Sequence, residues 1–254
     1  MNTFILSPLE QFEVQSLIGM NFPILGYIHL SLTNLGLYTI ITTILVLSIH
    51  FVSLSNKQIV PSRWTISLES SFQSLHGLVK AQIGKANEMY LPFIYSIFFF
   101  LLIANLNGNI PYGFTITTSL VVSMGLSVCI FLGVTILGLK EHRIHFFSFF
   151  VPSGTPLVLV PLLVPIELIS YVSRAFSLGI RLFANMTAGH VLMKILSGFL
   201  WPMFTGGIVI ALVTLIPFAI FLGIVGLELA VSFIQAYVFT ILTASYLKDA
   251  IDLH

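Results

Sequence analysis

The sequence predicts an all-α integral membrane protein, with about four to five membrane-embedded helices, one amphipathic surface helix, and a last pair of helices that is long, tilted and folded as a hairpin. Three observations carry this. Hydrophobic residues make up 57% of the 254-residue chain and charged ones only 7%, against about 25% charged in ordinary soluble domains. No Asp, Glu, Lys or Arg occurs between Glu13 and Lys57, Glu88 and Lys140, Lys194 and Glu228, or Glu228 and Lys248, and each gap meets the roughly 20 residues that a membrane helix needs. The apolar runs are solid Leu, Ile, Val and Phe, whereas a β-barrel would show segments of about ten alternating residues.

The elements follow in order within a single membrane domain, 1–254. Residues 1–34 form an N-terminal segment whose opening MNTFIL lacks a basic region and whose SPLEQFE is acidic, so it does not read as a secretory signal. The first span covers 35–55, between Asn34 and the Lys57 and Pro61 that follow. Over 63–88 the pattern changes: Trp64, Leu68, Phe72, Leu75, Val79 and Ile83 recur every three or four residues beside a stripe of Glu69, Gln73, His76 and Lys80. Such a helix lies along the membrane surface. A helical hairpin fills 91–139, turning at NLNGNIPYG, where three Asn, two Gly and one Pro fall in nine residues. The long hairpin covers 156–250 and breaks within SGFLWPMFTGG. Each arm exceeds 40 residues, and at about 1.5 Å per residue it would span roughly twice the hydrocarbon thickness, so it bends or tilts.

Charge placement sets an orientation, because Lys and Arg accumulate on the untranslocated side. Lys57, Arg63, Lys80, Lys85, Lys140, Arg143 and Lys248 fall on one side of this map; Glu10, Glu13, the uncharged turn at 105–113 and the turn near Trp201 and Pro202 fall on the other. A net charge of +1 gives no sign of nucleic-acid binding, and the lone Cys129 excludes an intramolecular disulfide and a cysteine zinc cluster.

The chemistry concentrates in the last hundred residues. Counting at about 100° per residue from Arg181, the side chains of Glu167, Ser170, Arg174, Ser177 and Asn185 lie within about 40° of it, while Thr187, His190, Lys194 and Ser197 fall on roughly the opposite face. On the final helix Glu228, Ser232, Gln235 and Thr243 share a face. Ionisable groups at membrane depth cost about 2.5–3.5 kcal/mol each on insertion scales, so by default they line a water path or pair with one another. Arginine is the informative choice among them. Its guanidinium stays charged in a protein, so it cannot carry protons but can block them and hold a nearby carboxylate ionised. Glu228 and His190 can take up and release protons, which gives carriers flanking a fixed positive barrier. The plainer alternative is helix-to-helix ion pairing of Arg174 or Arg181 with Glu167 or Glu228.

RAFSLGIRLFANMTAGH at 174–190 and LELAVSFIQAYVFTIL at 227–242 resemble subunit a of the rotary F-type ATP synthases, with Arg181, Asn185, Glu228 and Gln235 in that family's order and spacing. SPLEQFE, the surface helix, the NIPYG turn and the long paired helices extend the resemblance over essentially the whole chain, and His190 with Glu228 is similar to the mitochondrial, fungal-like arrangement. The resemblance implies a proton-translocating stator subunit lying against a ring of small c subunits, whose carboxylates would face Arg181. Protons would arrive through Glu228 and His190 and leave near Glu167, with Arg181 between the two half-channels, Asn185 and Gln235 helping to hold it, and Arg174 tuning Glu167. It further implies a mitochondrial inner-membrane location with the N-terminus in the intermembrane space and the basic loops and C-terminus in the matrix, a short leader that is removed, and peripheral-stalk and other membrane-sector subunits as partners besides lipid and protons. No cofactor, metal or catalytic site of its own is implied, and no GxxxxGK[ST] phosphate loop occurs.

Other signals carry less. EHRIH at 141–145 has two His three apart but no third ligand in sight, and a solvated loop accounts for it. Lys194 reads as a snorkelling side chain. His29, His50, His76 and His254 read as span ends or surface residues, His29 or His50 being a lesser candidate for proton uptake. A secondary ion-coupled transporter is the main alternative function, since such proteins also hold charged residues at the midplane; they do so on broken helices in repeated halves, and no second copy of the Arg181 segment occurs.

Overall fold

The computed structural model describes residues 7, 9–21, 29–55, 62–110, 113–151 and 159–251. The opening MNTFIL, Lys57, Pro61, the Pro111 and Tyr112 of NIPYG, and His254 lie outside the described residues. Five helices are long and apolar enough to cross a membrane.

The chain opens with two antiparallel strands, β1 (Ser16–Asn21) and β2 (His29–Thr33), paired from Ser16 with Thr33 to Asn21 with His29. Sequence periodicity did not signal this hairpin, because its strands are five or six residues long and sit in a segment of mixed polarity. It runs directly into α1 (Asn34–Ser55). Asn34 fastens the junction: its Oδ1 accepts from the Gln15 amide at 3.2 Å and its Nδ2 donates to the Glu13 carbonyl at 3.0 Å.

Helix α2 (Arg63–Gln82) begins where the Ser62 hydroxyl accepts from the Thr65 amide at 3.3 Å. It buries Leu75 and Val79 and leaves Trp64 72% exposed, as an amphipathic surface helix should. It is shorter than the 63–88 expected. The chain turns at Gly84, whose φ of +89° suits glycine, into a short 3-10 turn over Lys85–Tyr90.

Helices α3 (Leu91–Gly108) and α4 (Leu120–His142) follow, then α5 (Val160–Thr205) and α6 (Ile208–Ile251). Both α5 and α6 run unbroken through internal prolines, Pro165 and Pro202 in the former and Pro217 in the latter. Their connection is the pair Gly206 and Gly207, the second at φ +120°, so the helix passes through most of SGFLWPMFTGG and ends only at its last two residues.

The core forms where α3 and α4 flank the C-terminal half of α6 and the N-terminal half of α5. Val79, Ile94, Leu101, Ile130, Leu178, Leu182, Ala236, Phe239, Ala244 and Leu247 meet there. Lipid tails are as apolar as these side chains, so association rests on close van der Waals packing rather than on exclusion from water. Gly179 shows the tightness of that packing. A Cβ built on it would lie 2.5 Å from Ser127 Oγ, 2.8 Å from Met124 Sδ and 3.1 Å from Met124 Cα, so α5 rests closely on α4. Gly179→Val is expected to overpack this contact and cost about 1–3 kcal/mol, read as a lower melting temperature of the purified protein.

His50 is part of this framework. Its Nδ1 faces the Val46 carbonyl at 2.7 Å, which can only accept, so the proton sits on Nδ1 and Nε2 meets the Tyr95 hydroxyl at 2.9 Å. The bond joins α1 to α3.

Candidate functional site

The antiparallel packing of α5 on α6 sets the site out in three levels. At the first, Arg174 Nη1 donates to Asp249 Oδ2 at 3.0 Å and its Nη2 lies 3.9 Å from Glu167 Oε1. Each of the three side chains remains about a third exposed, at 32%, 32% and 30% for Arg174, Asp249 and Glu167. One turn away the Tyr171 hydroxyl meets Thr135 Oγ1 at 2.9 Å.

The second level is the middle of the seam. Asn185 Nδ2 donates to Gln235 Oε1 at 3.0 Å, tying the helices together. The resemblance implies that these two amides help to hold Arg181; here they bond each other. Arg181 instead projects from the exposed side of α5 and reaches only Ser177 Oγ, at 3.5 Å. Among the described residues no carboxylate comes within salt-bridge distance of it. Inside the bundle at this height, Leu182, Met186, Ala236 and Phe239 are fully buried. The buried interior at this height is therefore largely apolar, with the Asn185–Gln235 amide pair in the seam, and the Arg181 charge is outside.

The third level surrounds Glu228, which is only 3% exposed. Its carboxylate is seated on Gly189: a Cβ added there would overlap the carboxylate carbon and both oxygens. Next along α5, His190 Nε2 lies 3.0 Å from Thr115 Oγ1, with the Phe12 ring edge-on at 6.3 Å between centroids. Ser232 accepts from Asn109 Nδ2 at 2.7 Å on its hydroxyl and from Asn105 Nδ2 at 3.4 Å on its carbonyl, and Thr117 donates to Asn105 Oδ1 at 2.9 Å. Glu228 Oε1, Asn107 Nδ2, Asn109 Oδ1 and Thr187 Oγ1 are buried without a partner among the described residues. Such a concentration of open polar atoms is uncommon in a packed interior and marks a functional region. Lys194 donates to the Ser7 carbonyl at 3.3 Å, so the N-terminal segment lies over this end of α5.

By contrast, the remaining hydroxyls on the polar face of α6 are satisfied locally. Ser232, Thr240 and Thr243 each donate to the carbonyl four residues back, at 2.7–2.9 Å. Thr243 shares the Glu228 face as read from the sequence, but its hydroxyl is committed to its own helix. Among the described residues no group of three His, Cys, Asp or Glu side chains is disposed to hold a metal, and His142 Nε2 bonds the Ile251 carbonyl at 2.8 Å, closing the end of α4 on the end of α6.

Residues 36–248 match the family described as ATP synthase A chain. The chain belongs to the ATP synthase A chain family. It is 74% identical over 248 residues to the ATP synthase subunit a of Mycosarcoma maydis, covering 98% of both chains. It is 50% identical over 252 residues to that of Emericella nidulans, covering 99% of this chain and 98% of the relative, and 49% identical over 255 residues to that of Candida glabrata, at 100% and 98%.

Within this ATP synthase A chain fold, four contributors escaped the sequence reading: Asp249, Gly189, Thr115 and the pair Asn105 and Asn109. A helical wheel extended past Thr243 would have placed Asp249 within about 40° of Gln235. Gly189 gives no such signal, since its role lies in the side chain it lacks. Nor do the asparagines, which composition marks as turn formers while their amides point back into α6.

Proposed function

We propose that the chain is the proton-translocating stator subunit of the rotary ATP synthase membrane sector, a multi-pass protein of the mitochondrial inner membrane with its N-terminus in the intermembrane space and its basic loops and C-terminus in the matrix. The observation that carries this is Arg181. It stands on the outer side of α5, seven residues or about 10 Å from Arg174 and nine residues or about 13 Å from His190, beside an interior plugged by Leu182, Met186 and Phe239. Neither this apolar packing nor the mutually bonded, non-titrating amides of Asn185 and Gln235 carry a proton between the two polar ends, and the guanidinium cannot relay it. It must travel on a partner that faces Arg181 from outside. The carboxylate of a c-ring subunit has the chemistry for that.

In this mechanism a proton from the intermembrane space reaches Glu228 through the polar lining of His190, Thr115, Asn105 and Asn109, and passes to a ring carboxylate. The neutral carboxylic acid then rides through lipid as the ring turns. On returning, it gives up its proton towards the carboxylates of Glu167 and Asp249 and arrives ionised at Arg181. A guanidinium about 4 Å away at an effective dielectric of 20 favours the ionised carboxylate by about 4 kcal/mol, roughly a thousandfold in the protonation equilibrium. Each charge crossing 100 mV yields about 2.3 kcal/mol, so several protons per turn supply the work of synthesis. A solute transporter is a weaker reading, because α5 and α6 continue unbroken through Arg181 and Glu228, where transporters unwind their helices.

Two measurements test the proposal. The purified chain should bring with it a ring of small two-helix proteolipids. Glu228→Gln and His190→Ala should each assemble yet slow proton flow through the membrane sector, by about a hundredfold for Glu228→Gln, the lower range for loss of a proton-transfer group. A pH dependence of flux left unchanged by both would refute the uptake assignment.

A further inference from the structure

Although consecutive, α3 and α4 splay apart around the C-terminal half of α6. Between them lies a groove of about 380 Å³, open to the membrane and outside the proton path described above. Its walls are Phe93 and Ile97 of α3 and Cys129, Gly133 and Leu137 of α4, and Leu247 of α6 forms its floor. The lining is almost wholly apolar, and the volume falls within the range of about 300–1,000 Å³ typical of small-molecule sites. A packed helix, about 10 Å across, would fill such a volume in roughly one turn, whereas a hydrocarbon chain is thin enough to follow it.

Charge at one end selects the kind of chain. Lys140 lies one turn beyond Leu137 on the same side of α4, and Lys248 directly follows Leu247; both are exposed. Exposed Lys80 ends α2 beside Val79, which packs into the same core as Leu91 and Leu247. Of the acidic groups at this end, Asp249 is taken up by Arg174 at 3.0 Å, while Glu88, 3.5 Å from His76, and Glu141, exposed next to Lys140, remain. The three lysines outnumber these two carboxylates. We propose that the groove seats one acyl chain of an anionic bilayer phospholipid, with its phosphate held by Lys140 and Lys248.

The test uses the whole purified ATP synthase in phosphatidylcholine vesicles doped with a diazirine-tailed phosphatidylglycerol or, separately, a diazirine-tailed phosphatidylcholine. After illumination, mass spectrometry of peptides covering 126–137 should find severalfold more adducts with the phosphatidylglycerol probe. Gly133→Leu should abolish them. A Cβ at Gly133 meets nothing within 4 Å, so leucine can enter the groove without a clash. Lys140→Gln with Lys248→Gln should bring phosphatidylglycerol labelling down to the phosphatidylcholine level, and this pair decides the matter if Gly133→Leu does not assemble. Equal labelling by the two probes overturns the proposal. So does crosslinking of Cys129 to another polypeptide in place of lipid, which would mean that a partner helix covers the groove.

Discussion

Replacing Arg181 with alanine is expected to leave the enzyme assembled and abolish proton-driven ATP synthesis. Arg181 has one weak bond, to Ser177, and no carboxylate partner among the described residues, so its loss removes little packing. What disappears is the charge that makes an arriving ring carboxylate release its proton. Without it a carboxylate protonated at one half-channel can step straight across the divide and release its proton at the other, so protons flow without turning the ring. Lysine should not rescue the function, because an ammonium can shed its proton at low dielectric and so conduct where the guanidinium blocks. The assay is ATP synthesis in reconstituted vesicles beside passive proton flow. Normal synthesis in Arg181→Ala would sink the mechanism.

Gly189→Ala is the second large effect. The added methyl would occupy the position of the Glu228 carboxylate, which must move from its seat. The displaced group is the end of a flexible side chain, so the shift costs little in stability, but it moves the proposed carrier. Proton flow should fall as far as in Glu228→Gln while the amount of assembled enzyme holds. Combining Gly189→Ala with Glu228→Asp, which shortens the side chain by one methylene, should recover part of the flow. A merely structural glycine would give no such recovery, and full flow in Gly189→Ala alone would show that Glu228 does not work from this position.

The helices were legible because lipid imposes a simple rule: a charge-free run of sufficient length must be a helix, since its backbone groups have no other partners. The same rule made Arg181, Glu228, Glu167 and Arg174 conspicuous, each standing out against an apolar background. Contacts that join distant segments left a fainter trace. Asp249 sits close to a helix end where a charge is unremarkable, and only its register against Arg174 makes it part of the site. Asn105 and Asn109 resemble any turn asparagines until α6 is laid beside them. The N-terminal strands escaped because pairing across residues 16–33 depends on where Asn34 anchors the chain, and no local periodicity encodes that.

On the proposed function, the close approach at Gly179 acquires a mechanical meaning. The glycine lies two residues from Arg181, and Ser127 and Met124 press against it where most helices would interpose a side chain. A turning ring pushes sideways on whatever faces its carboxylates. That reaction force enters the molecule at Arg181, and two residues away α5 lies against α4 with no side chain of its own between them. A stator that yielded there would waste part of each stroke as elastic recoil; this one is closely packed beside the charge that takes the load.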